Sequence, residues 1–280
     1  MQRFTATDGA TIAYRDRGHG RPILLLHGLM AHSGFFTPQY VLADDHRLIS
    51  VDFRGHGAAL DADEPTIERL AQDVAELSEA LALEQAVVVG WSLGASVLWH
   101  LLTGPAAARF AGGIVIDMTP RVMNGPDWDL GLTPERCADR LDAMRSDYPA
   151  FATAAGEAIF SPDFADEMSL KAWAGREFAR NDGQAIAALW TSLVEQDVRD
   201  RLRRIAQPVI VVHGGRSHLY GPDTARYLAA EMPNARTVEF PDCGHSPHLE
   251  APESFNKLVL AFEAGLPAFT QNMITEAGER

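Results

Sequence analysis

The chain is poor in the residue types that most restrict where a protein works. Its 280 residues include two cysteines, Cys137 and Cys243, too few for a disulfide framework or a cysteine-rich metal site. Lysine and arginine number 24 against 38 acidic residues, a formal net charge of −14. That balance argues against a nucleic-acid partner, whose phosphates demand a basic surface. It also disfavours anionic substrates unless a local basic patch offsets it. No uninterrupted run of about 18 apolar residues is present, so no membrane span is expected. The opening Met1-Gln2-Arg3-Phe4-Thr5-Ala6-Thr7-Asp8 lacks the apolar core of a secretory signal, and a reduced, cytoplasmic setting is the expectation. Repeats and low-complexity tracts are missing too. What is there is 46% hydrophobic and 22% charged, enough for one large core plus a modest insertion.

Strand-like and helix-like segments alternate. Phe4 to Thr7 and Ala10 to Asp16 read as an opening strand pair around Asp8-Gly9. Pro22 to His27, Arg47 to Asp52, Gln85 to Val89, Gly113 to Asp117 and Pro208 to His213 are near-continuous apolar runs, the pattern of strands buried on both faces, and Thr237 to Phe240 completes the series. Between them, Pro65 is expected to open a helix, with Ile67, Leu70, Val74, Leu77 and Leu81 forming one apolar stripe. The fold class is therefore α/β, a mainly parallel sheet covered by helices on both faces.

One segment breaks the rhythm. From about Thr119 to Ile205 no strand-like run occurs, while helical patterning is present around Ala138 to Met144, Leu170 to Phe178 and Ala185 to Val194. The expected organisation is a core of residues 1–118 and 206–280 with a helical cap inserted at 119–205. Most cap aromatics should form the cap's own core, with some facing a pocket. Trp128 and Trp190 are the cap candidates for that pocket, joined from the core by Met30 and Trp91. The tail after Leu266 is expected to fray.

Gly90-Trp91-Ser92-Leu93-Gly94 stands between the strand ending at Val89 and a helical run from Ala95 to Leu102. Gly-x-Ser-x-Gly at a strand-to-helix junction is a nucleophile elbow, a tight turn that lifts a serine hydroxyl clear of the sheet. A serine needs an adjacent base, usually a histidine oriented by a carboxylate. Asp242-Cys243-Gly244-His245-Ser246-Pro247-His248 supplies two histidines after the last strand. The Gly-His dipeptide and loop position favour His245, with His248 packing beside it. His19, His46 and His100 are assigned surface or structural roles.

Together these pieces resemble the α/β-hydrolase fold superfamily: His27-Gly28-Leu29-Met30, Asp52-Phe53-Arg54-Gly55-His56-Gly57, the elbow, and Gly244-His245, in that order. The resemblance covers nearly the whole chain. It implies that the backbone amides of Leu29 and Leu93 form an oxyanion hole, and that His27, Arg54 and His56 brace their loops. The acid departs from the superfamily's commonest pattern, because the position after the strand Val209 to Val212 holds Ser217. Two candidates remain. Asp223 reads more simply as a helix-start charge. Asp117, closing the strand after the elbow helix, is preferred: catalytic groups gather at the carboxyl ends of such strands, and a buried aspartate needs a partner. A subset of superfamily esterases carries its acid there.

The expectation is a serine hydrolase cleaving a small to medium hydrophobic carboxylic ester through an acyl-enzyme, with Ser92, His245 and Asp117 catalytic and no metal or organic cofactor. Perhydrolase, lactonase and carbon–carbon bond hydrolase reactions share this scaffold. A carboxylate-nucleophile dehalogenase or epoxide hydrolase does not fit Ser92. A ligand receptor that kept the pocket is the non-enzymatic alternative.

Overall fold

A computed structural model describes residues 1–59, 65–166 and 168–269. Its eight strands are β1 (Gln2–Thr5), β2 (Thr11–Arg17), β3 (Pro22–Leu26), β4 (Arg47–Asp52), β5 (Ala86–Trp91), β6 (Phe110–Ile116), β7 (Val209–Gly214) and β8 (Ala235–Phe240). They form one sheet in the order β1-β2-β4-β3-β5-β6-β7-β8. β1 pairs with β2, and β2 with β4, antiparallel. All other pairings are parallel. Every residue of β3, β5 and β7 is buried, which is why those strands read as unbroken apolar runs.

The described residues form ten α-helices, in chain order α1 (Ile67–Ala80), α2 (Leu93–Thr103), α3 (Pro134–Ser146), α4 (Tyr148–Ala158), α5 (Leu170–Phe178), α6 (Gly183–Glu195), α7 (Arg199–Leu202), α8 (Pro222–Glu231), α9 (Pro247–Glu250) and α10 (Pro252–Ala264). A 3-10 segment, Ser33–Asp44, precedes β4. Pro65 does not open α1. Thr66 is the N-cap, its side chain accepting from Arg69 N–H, so Pro65 lies just outside the helix. Ile67, Leu70, Val74 and Leu77 bury the expected stripe, and Leu81 serves as the C-cap.

Between β6 and β7 the described residues contain helices α3 to α7 and only isolated bridges, such as Met123 with Leu132. From residue 270 onward the tail lies outside the described residues. No helix of the described residues is long and apolar enough to cross a membrane.

Candidate active site

The elbow is a strained turn built at the end of β5. Ser92 sits at φ 53°, ψ −120°, a backbone conformation that costs a non-glycine residue free energy. Its N–H donates to Ile116 O (3.0 Å) and its carbonyl accepts from Ala95 N–H (2.8 Å), tying the turn to β6 and to α2. The flanking glycines are required by close approach. A Cβ on Gly94 would lie 2.1 Å from Leu26 O, and one on Gly90 would lie 2.5 Å from Gly94 O. Leu93 is the first residue of α2, so its N–H has no acceptor within the helix.

β6 ends beside the elbow. Asp117, the next residue, has φ 46° and donates its N–H to Val212 O of β7 (2.8 Å). This carboxylate is 2% exposed, and its Oδ2 lies 2.6 Å from His245 Nδ1. An ionised carboxylate only accepts, so the imidazole donates from Nδ1 and leaves Nε2 free for a hydroxyl. Asp223 has a different setting: it is exposed in the first turn of α8 and pairs with Arg226. Ser217, which has no carboxylate to offer, nevertheless reaches Asp117, its Oγ donating to Oδ2 at 2.6 Å.

The His245 loop is pinned from several sides. Trp91 Nε1 donates to His245 O (2.9 Å), so the residue before the serine also holds the histidine's backbone. Glu250 accepts from Gly244 N–H and Ser161 N–H, both at 2.8 Å. Burial pushes the Glu250 carboxyl up from its ordinary value. His248 is fully buried, its ring centroid 4.8 Å from that of Trp91 and 4.9 Å from that of Phe36. Desolvation lowers its pKa to about 3, so it is a neutral packing group.

The loop after β3 closes another side. A Cβ on Gly28 would meet Ser92 Cβ and the Trp91 ring at 3.2 Å, so Leu29 follows directly on a contact with the elbow. Met30, at φ 68°, donates its N–H to His56 Nε2 (3.1 Å), and its carbonyl accepts from Asn181 Nδ2. His27 Nε2 accepts from Phe53 N–H (3.1 Å). Burial holds His27 and His56 at about 3, and both act as neutral braces. Arg54 braces the same region through Asp73 and Asp8, with Oδ contacts of 2.6 to 3.2 Å.

Ser92 and His245 open into one cavity of about 140 Å³. Its core-side walls are Gly28, Leu29, Met30, Trp91 and the post-β7 residues His218, Leu219 and Tyr220. Its other walls come from α3 (Arg136, Arg140), α4 (Ala155, Ala158), α5 (Phe178) and α6 (Trp190, Leu193), with Leu132 and Ile159. Met30, Trp91 and Trp190 are among the residues that line it. Trp128 does not. Its Nε1 donates to Arg121 O (2.8 Å), and its ring packs on Tyr227 of α8 at 4.8 Å with Arg199 over it. The two cavity-lining arginines of α3 were missed by sequence reading, where a charged helix passes for a solvated face.

A doubly covered, mainly parallel sheet with a serine on its central strand-to-helix elbow defines an α/β-hydrolase scaffold. Residues 23–258 match the Alpha/beta hydrolase family, and the chain belongs to it. It is similar to a pimeloyl-(acyl-carrier protein) methyl ester esterase of Chromobacterium violaceum, 30% identical over 85% of this chain and 92% of that protein. A non-heme chloroperoxidase of Streptomyces lividans is 29% identical over 94% of this chain and 99% of its own length. Among solved structures, the esterase EaEST of Exiguobacterium antarcticum shares the fold at TM-score 0.88 and 22% identity, covering 94% of this chain and 98% of that one.

Proposed function

We propose that this chain is a serine hydrolase that cleaves a small carboxylic ester through an acyl-enzyme intermediate. The observation that carries the reading is the 2.6 Å contact of Asp117 Oδ2 with His245 Nδ1, beside a cavity lined by both His245 and Ser92. Kinship with proteins named as esterases supports a hydrolase acting on ester bonds.

In this mechanism His245 Nε2 takes the Ser92 proton as Oγ attacks the ester carbonyl. The Leu29 and Leu93 amides receive the negative charge that develops on the carbonyl oxygen. Such a donor matters because the charge exists only in the transition state, and losing one costs about 3–4 kcal/mol of barrier. The imidazolium then protonates the leaving alcohol, and water activated by the same nitrogen releases the acid. Asp117 holds the imidazole tautomer and stabilises its cation. The chain's own groups handle every proton and charge, so the reading invokes no cofactor. Helices α3 to α6 act as a cap that shapes the substrate's side of the cavity.

Labelling with a fluorophosphonate probe tests the nucleophile, and turnover of p-nitrophenyl esters of graded length tests the reaction. Ser92 should carry the label, and Ser92→Ala should abolish both labelling and turnover. Equal labelling of Ser92→Ala would refute the assignment. Lack of turnover on ester, lactone and peracid panels, with a ligand still raising Tm, would favour a receptor instead.

A further inference from the structure

One wall of the cavity is cationic in a chain with a large acidic surplus. Arg136 and Arg140 are four apart on α3, hence on one helix face, and both line the cavity that holds Ser92 and His245. Arg136 is exposed and Arg140 half-buried. The Arg140 guanidinium lies 5.2 Å from the centroid of Trp190 and 5.4 Å from that of Phe151, contacts that fix its position.

Among the described residues neither guanidinium has a counterion. Among the described residues no carboxylate oxygen comes within 4.0 Å of Arg136 or Arg140, and Arg140 Nε is buried without a hydrogen-bond partner. Elsewhere Arg47, Arg54, Arg69 and Arg199 each hold one or more carboxylates at 2.6 to 2.9 Å. A desolvated cation without a partner is costly, and an anion brought by a ligand offsets that cost. Burial already disfavours the charged form of Arg140, which raises the gain from such an anion. Arginine suits the task because its planar fork matches a carboxylate bidentately.

We propose that the substrate is an ester bearing a free carboxylate, a half-ester of a short dicarboxylic acid in type, with the carboxylate held by Arg140 and drawn in by Arg136. This inference rests on the serine-hydrolase reading and narrows it. Ser92 and Arg140 line the same cavity, so one small molecule is to present the scissile ester to the first and the anion to the second. Local charge decides here over the net charge of −14, because the exposed surface field is screened within about 8 Å at physiological salt.

Monomethyl and dimethyl esters of succinate, glutarate and adipate present the same scissile bond with and without the charge. The protein should show kcat/KM at least about tenfold higher for one or more half-esters than for the matching diester, the ratio one charge-assisted hydrogen bond sustains. Arg140→Gln should flatten that ratio, and Arg140→Lys should keep part of it. The unsubstituted protein alone decides should Arg140→Gln fail to fold. Equal or reversed ratios at all three lengths, with p-nitrophenyl acetate still hydrolysed, would overturn the carboxylate subsite and leave the hydrolase reading standing. Loss of turnover on every ester, p-nitrophenyl acetate included, would instead overturn the hydrolase reading.

Discussion

Ser217 and Asp117 meet through a single oxygen: Ser217 Oγ donates at 2.6 Å to Asp117 Oδ2, the same atom that accepts from His245 Nδ1 at 2.6 Å. The residue after β7 thus sits within one hydrogen bond of the carboxylate supplied after β6. Two sheet positions converge on one spot, and a carboxylate at either could orient the imidazole.

That convergence predicts a relocation of the acid. Asp117→Asn should lower kcat by about 10³- to 10⁴-fold at nearly unchanged KM, since it removes the group that fixes the histidine tautomer. Adding Ser217→Asp to Asp117→Asn should recover at least tenfold of that loss (~1.4 kcal/mol of barrier). Steady-state kinetics on one p-nitrophenyl ester checks both, and a double variant as inactive as the single one would sink the idea.

The elbow's glycines give a stability prediction. Gly94→Ala places a methyl 2.1 Å from Leu26 O, a backbone atom of β3 that cannot move without disturbing the central sheet. The expected cost is about 3 kcal/mol or more. Thermal unfolding reads it directly, and an unchanged Tm would contradict the packing described around Gly94.

Acid should destabilise the protein through three buried histidines. His27, His56 and His248 are each held near 3 by desolvation, against an ordinary 6.5. Between those values the unfolded chain binds protons that the native state refuses. Their contribution is therefore intact above about pH 6.5 and is lost as pH falls below it, each histidine costing up to about 1.4 kcal/mol per pH unit. The raised carboxyls of Glu250 and Asp73 act with the opposite sign and offset part of this. Tm measured from pH 7 to pH 4 should fall, and His248→Phe, which keeps a ring beside Trp91 and Phe36, should make the slope shallower. A slope identical to that of the unsubstituted protein would count against the assignment of His248 as a neutral core group.

The central sheet was legible because β3, β5, β6 and β7 are buried on both faces and so leave unbroken apolar runs. Asp117 stood out for the same reason, as a lone charge closing such a run. The contact of Ser217 with Asp117 spans 100 residues and leaves no local periodic mark. Trp128 misled because aromatic content does not reveal which way a ring faces, and the carbonyl of Arg121 turned its indole away from the cavity. Arg140 was passed over because helical charge usually means water, whereas Trp190 and Phe151 hold this guanidinium at the cavity wall. Helix α4 and the segment Ser33–Asp44 carried no stripe strong enough to register.

Glu250 gives the molecule a mechanical linkage. One carboxylate oxygen grips the backbone of the histidine loop at Gly244, the other grips Ser161 just beyond α4, and Ser246 Oγ donates to Ile159 O at 2.8 Å alongside. The His245 loop and the segment just after α4 are riveted together at residues 159–161. Any displacement of residues 159–161 is therefore passed to the loop that carries the His245 imidazole.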